Sequence, residues 1–142
     1  MISTKCVQAN LHHAKGASVA LMERIAREGL EIALLQEPWI HNKRVCGLAS
    51  KKGNLIYDRK SERPRAAILI NRSIDYIPLT QFISSDLVAI SVTYGPEGSK
   101  KEIIIASGYF PGEETEAPPR DTQLLIEHCR KTKTPYLLGC DA

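Results

Sequence analysis

No apolar run in these 142 residues approaches the ~18 residues that would cross a bilayer. The opening residues Met1-Ile2-Ser3-Thr4-Lys5-Cys6 lack the apolar stretch of a signal peptide. Membrane association is not expected, and the chain reads as intracellular. The four cysteines, Cys6, Cys46, Cys129 and Cys140, form no Cys-x-x-Cys pair. That argues against zinc and for reduced, mostly buried thiols. Internal repeats, low-complexity tracts and dividing linkers are also missing, so residues 1–142 belong to one domain. What remains is ordinary globular material, 43% hydrophobic with mean hydropathy −0.20, enough for a real core.

Acids are scarce between His41 and Arg65. Eight cations, Lys43, Arg44, Lys51, Lys52, Arg59, Lys60, Arg63 and Arg65, stand there against Asp58 and Glu62, a local charge of +6. Such a rim suits a polyanion such as nucleic acid; a solvated loop face is the alternative. From Phe110 to His128 the sign reverses. Glu113, Glu114, Glu116, Asp121 and Glu127 face Arg120 alone, a local charge of −4.

The apolar pattern predicts a strand over Lys5–Leu11 and an amphipathic helix over His13–Glu28. Ala14, Ala17, Leu21 and Ile25 form the helix stripe, and Gly29 stops it. Glu23/Arg27 and Arg24/Glu28 are spaced to pair on its wet face. Glu31–Gln36 is a second strand, too apolar to be half exposed. A β-α-β opening favours a parallel pair with a right-handed crossover. Strands are expected over Val45–Ser50, Asn54–Tyr57, Ala66–Asn71, Ile74–Leu79, Leu87–Tyr94 and Glu102–Tyr109. No helical period separates them, so they should be antiparallel. A helix over Arg120–Lys131, with Asp121 or Thr122 near its cap, and a last strand over Tyr136–Cys140 complete an α+β layered pattern.

The most informative stretch is Ile32-Ala33-Leu34-Leu35-Gln36-Glu37-Pro38-Trp39. An apolar strand ends in a carboxylate, and Pro38 forbids its continuation. Strand ends are where α/β folds bind ligands. Asn10, Tyr109 and Asp141 also stand at or just after expected strand ends. If those strands are neighbours, the four side chains meet on one rim. Two acids and an amide are hard ligands suited to Mg²⁺, or Mn²⁺ in its place, and a phenol can donate to a developing anion. Such a set suits phosphodiester hydrolysis. Each residue also has a plainer reading: Asn10 closes a turn, Glu37 caps a loop, Tyr109 is a core aromatic and Asp141 is solvated.

Gln8-x-Asn10-Leu11, Gln36-Glu37-Pro38-Trp39, Arg63-Pro64-Arg65-Ala66, Ser107-Gly108-Tyr109-Phe110-Pro111 and Gly139-Cys140-Asp141-Ala142 follow one another in this chain. In that order they resemble the endonuclease/exonuclease/phosphatase family, and most of all the apurinic-like endonuclease domain of non-LTR retrotransposons. The resemblance implies a four-layer α/β/β/α sandwich of the deoxyribonuclease I type and metal-dependent nicking of DNA. It implies Asn10 and Glu37 at the metal, Tyr109 at the scissile phosphate and Asp141 positioning water or the leaving side. It also implies a reverse transcriptase domain in the same polyprotein and action in the nucleus. Arg65 resembles the family's arginine before a central strand and receives no role. Lys43, Arg44, Lys51, Lys52, Arg63 and Arg65 are the candidate DNA contacts.

The family's later Ser-Asp-His motif, which activates water, has no counterpart here. The chain is therefore expected to be the N-terminal part of such a domain, inactive alone, with an unpaired sheet edge that invites self-association. His12, His13, His41 and His128 are not assigned to catalysis, and His13 is placed on a helix surface. The alternatives are a degenerate module that only binds nucleic acid and a phosphatase or phosphodiesterase of the same superfamily.

Overall fold

The computed structural model describes residues 4–111 and 118–141. Strand β1 (Cys6–Asn10) leads into helix α1 (Lys15–Glu28) and strand β2 (Ile32–Gln36). A two-strand hairpin follows, β3 (Ile40–His41) and β4 (Arg44–Val45). Then come β5 (Gly53–Ile56), β6 (Ala66–Asn71), β7 (Tyr76–Pro78), β8 (Leu87–Tyr94) and β9 (Lys101–Tyr109). Helix α2 (Arg120–Thr132) and strand β10 (Tyr136–Asp141) end the described chain.

Two four-stranded sheets carry the fold, ordered β1-β2-β6-β5 and β10-β9-β8-β7. β1 runs parallel to β2, as the β-α-β reading required, and β10 runs parallel to β9. The remaining pairs in both sheets are antiparallel. Period-two alternation decides which face each side chain takes. Ile32 and Leu34 join Ile68, Ile70, Val88, Ile90 and Ile105 between the sheets. Ala33 and Leu35 point the other way, with Ala67 and Leu69, onto Leu21 of α1. On the far side Ala89, Ile104 and Ala106 pack on Leu125 and Cys129 of α2. The layers are thus α/β/β/α, the expected sandwich. β2 is buried at all five positions because both of its faces are covered.

Several local expectations fail. Of the expected Val45–Ser50 strand only Val45 is paired, at the end of β4. Gly47 adopts φ +81, and a Cβ there would meet Ser18 Cβ at 3.1 Å and Trp39 at 3.2 Å, so the chain turns against α1 instead. Leu48 is still buried, as a loop residue. The expected Ile74–Leu79 strand shortens to β7. The α2 cap itself is Pro119; Asp121 lies near it in the first turn, as expected, and Thr122 is buried. Arg24 pairs with Glu28 at 2.6 Å, but Arg27 lies 3.8 Å from that same carboxylate rather than pairing with Glu23. The thiols are free, yet only Cys129 is buried; Cys6 is exposed, and Cys46 and Cys140 are half-buried. Cys6 and Cys140 sit on strands that end each sheet, where one flank is open. Among the described residues no helix is long and apolar enough to cross a membrane.

Candidate active site

Register brings four strand ends to one level. Asn10 is opposite Gln36 in the first sheet, and Asp141 is opposite Tyr109 in the second. Just beneath, a buried polar bridge joins the sheets. Gln36 Nε2 donates to Ser107 Oγ at 2.9 Å and to the Gly139 carbonyl at 3.3 Å, and Gln36 Oε1 accepts from Gln8. Ser107 Oγ in turn donates to the Leu35 carbonyl at 2.7 Å. Gly139 permits the approach, because a Cβ there would lie 2.8 Å from Leu34 Cδ1.

On this base the expected residues meet. Asn10 Nδ2 donates to Asp141 Oδ2, while Asn10 Oδ1 accepts the His12 N–H at 2.8 Å. Glu37 adopts φ +48, a left-handed conformation that non-glycine residues rarely take. Its N–H donates to the Arg65 carbonyl at 2.9 Å, and its carbonyl accepts the His13 N–H at 2.7 Å. The Tyr109 side chain lies near Glu37, Arg65 and Asp141. Burial chiefly, then Glu37, raises the Tyr109 pKa; Arg65 opposes the rise. The phenol is therefore a proton donor at neutral pH.

Two residues were missed in the sequence. His13 is not on the helix, which begins at Lys15. It stands before it with φ +55, its Nδ1 at 2.8 Å from the Pro38 carbonyl and its Nε2 3.8 Å from Glu37 Oε2. Its position three residues after the β1 end was the available signal. Asp86 had no signal. It grips Arg65 through two 2.7 Å bonds, Nε to Oδ1 and Nη2 to Oδ2. Those bonds raise the Arg65 pKa against the opposing effect of burial. The Arg65 guanidinium lies 4.7 Å from the Tyr109 ring centre. His13, Arg63, Arg65, Ser85 and Tyr109 line an open cleft of about 470 Å³.

The donor set fits a hard cation. Glu37 keeps a fifth of its side chain exposed, with side-chain relative accessibility 20%, and Asn10 Oδ1 retains a second lone pair beyond the His12 bond. Among the described residues no three His, Cys, Asp or Glu gather into a ligand cluster. The Glu37 carboxylate and the Asn10 amide oxygen are hard donors, of the type that Mg²⁺ takes beside water and phosphate.

No family model and no curated protein matches the chain in sequence. Solved structures do match in shape. The endonuclease domain of TRAS1, a telomere-specific non-LTR retrotransposon, superposes with TM-score 0.72 at 22% identity, over 99% of this chain and 59% of that one. An endonuclease/exonuclease/phosphatase family protein from Leptotrichia buccalis matches with TM-score 0.57 at 13% identity, over 98% and 66%. D. rerio TDP2 complexed with a single-strand DNA product matches with TM-score 0.55 at 12% identity, over 95% and 58%. This chain has the endonuclease/exonuclease/phosphatase fold. It spans 59% of the TRAS1 domain.

Within the endonuclease/exonuclease/phosphatase fold, the expected basic rim divides. Arg63 and Arg65 line the cleft beside Tyr109. Lys43 and Arg44 stand at the hairpin beyond Pro38, where Lys43 pairs with Glu62 at 3.0 Å. Lys51 and Lys52 do not join them. They precede Gly53, which is opposite Asn71, and Lys52 receives the Arg72 N–H at 2.8 Å. That is the opposite end of the sheet from Gln36 and Glu37, because β6 runs away from the rim and β5 starts beside its far end. Arg65 engages Asp86 through Nε and Nη2, which leaves the Nη1 end of its guanidinium toward other acceptors.

Proposed function

We propose that this chain carries the N-terminal part of the active site of a metal-dependent DNA endonuclease, one that hydrolyses a phosphodiester to nick target DNA for retrotransposition. The observation that carries the reading is the meeting of Asn10, Glu37, Tyr109 and Asp141 on one rim. Likeness to a retrotransposon endonuclease domain and to a protein holding a DNA product supports DNA as the substrate. On this reading a reverse transcriptase domain accompanies the chain in its polyprotein, and the site acts in the nucleus.

Glu37, with Asn10, would hold Mg²⁺ or Mn²⁺, and the bound ion supplies Lewis-acid polarisation of the phosphoryl oxygens. Tyr109, kept protonated, donates to a phosphate oxygen where charge develops. Asp141 fixes the Asn10 amide by accepting its N–H. Among the described residues the rim has no histidine–aspartate ion pair to take a proton from water. Lack of a general base costs about 10²–10⁴-fold in rate, so the 142-residue chain should nick DNA slowly or not at all.

The test is Mg²⁺ titration of the purified chain followed by NMR, with duplex DNA and inositol phosphates as competing ligands. Weak Mg²⁺ binding lost in Glu37→Ala, with duplex preferred, is expected. No perturbation at Glu37, or a preference for inositol phosphates, overturns the reading. Robust plasmid nicking that Glu37→Ala abolishes would overturn the expected inactivity alone.

A further inference from the structure

Three hydrogen-bonded links join Glu37 to Tyr109. The Glu37 N–H donates to the Arg65 carbonyl at 2.9 Å. The Arg65 guanidinium forks onto Asp86 through two 2.7 Å bonds. The Asp86 carbonyl accepts the Tyr109 N–H at 2.8 Å. The Tyr109 phenol lies near enough to Glu37 for that carboxylate to raise its pKa. Arg65 also covers the Tyr109 ring at 4.7 Å.

We infer that Asp86 is a positioning residue: by locking the plane of the Arg65 guanidinium over the Tyr109 ring, it fixes the phenol beside Glu37. The physical reason is geometric. A bidentate carboxylate sets both the position and the plane of a guanidinium. A flat cation held over a ring face restricts the ring to one orientation. Arg65 and Asp86 keep 37% and 27% of their side chains exposed, where an isolated ion pair stabilises little. The pair instead matters for where Tyr109 stands. Backbone bonds at both Arg65 and Asp86 tie the clamp to the two residues it aligns, Glu37 and Tyr109. Ser85 adds a further anchor, its carbonyl accepting the Arg65 N–H at 2.6 Å.

The role of this clamp in hydrolysis rests on the proposed function, but its geometry can be measured without turnover. The readout is the set of nuclear Overhauser contacts between the Tyr109 ring and the Glu37 and Arg65 side chains in the full chain. Contacts between Ile68 and Ile90 serve as a control for the intact core. In Asp86→Ala the Tyr109–Glu37 contacts should vanish while the core contacts persist. Asp86→Asn, which keeps one fork acceptor, should retain them. Arg65→Lys, which keeps the charge but neither fork nor flat face, should lose them. Survival of the Tyr109–Glu37 contacts in Asp86→Ala overturns the inference. If that variant fails to fold, their survival in Arg65→Lys does so. Failure of Mg²⁺ or DNA binding would leave these contacts unchanged and so marks failure of the functional reading alone.

Discussion

Gln36 of the first sheet donates to Ser107 of the second across 2.9 Å, in a position where Gln36 is wholly buried. The bond sits one residue beneath Glu37 and two before Tyr109, so it sets the separation of the strands that present them. A buried amide left without partners costs about 1–3 kcal/mol. Gln36→Leu removes the acceptor of Gln8 Nε2 and a donor from Ser107 Oγ and the Gly139 carbonyl, and should lower unfolding free energy by about that amount. Urea denaturation measures it, and an unchanged midpoint would show that the bridge contributes nothing.

Glu37 pays a backbone cost for its place, with φ +48. Left-handed backbone costs an L-residue about 1–2 kcal/mol, from which glycine is exempt. Glu37→Gly should therefore be more stable than Glu37→Ala by about 1 kcal/mol. Both variants lose the carboxylate and should lose the Mg²⁺ response equally. Equal melting temperatures would remove strain from the account.

Tyr109 gives a pH prediction with a definite sign. Its folded pKa lies above its unfolded value of about 10, chiefly through burial and then through Glu37. Between those two values the folded chain holds a proton that the unfolded chain has lost. The contribution of Tyr109 to stability is thus full below about pH 10 and is lost as pH rises through the folded pKa. With a chelator present, tyrosinate absorbance should show a late component that Tyr109→Phe removes. Tyr109→Phe should also flatten the alkaline fall in stability.

Core and surface isoleucines should separate cleanly. Ile68 is fully buried between the sheets, whereas Ile77 is 66% exposed. Truncating a buried isoleucine to alanine costs about 2–5 kcal/mol, while exposed changes stay within about 0.5 kcal/mol. Denaturant midpoints for Ile68→Ala and Ile77→Ala check the difference.

The divided basic stretch makes a prediction about DNA. Arg63 lines the cleft beside Tyr109, whereas Lys52 lies at the far end of the sheet. Arg63→Ala should weaken duplex binding and reduce the salt slope by about 1. Lys52→Ala should change neither. Equal effects from both would mean that the duplex contacts a different surface.

The sequence by itself determined the layers. Alternation in Ile32-Ala33-Leu34-Leu35 and the helical stripe through Leu21 are local periodicities, and burial follows directly from them. It also marked Asn10, Glu37, Tyr109 and Asp141, because strand ends are legible from polar residues beside Pro38 and Pro111. Only the tertiary structure decided which ends meet. Asn10 and Asp141 are 131 residues apart, and their contact depends on the two parallel pairs ending at one level. The same holds for Asp86, an acid in an unremarkable Ser-Ser-Asp turn until Arg65 and Tyr109 are brought beside it. The place of His13 before the helix and the distance of Lys52 from the rim were hidden for the same reason. Charge and helical spacing report what a side chain is, while its distance from Glu37 depends on strand direction and on where the backbone turns left-handed.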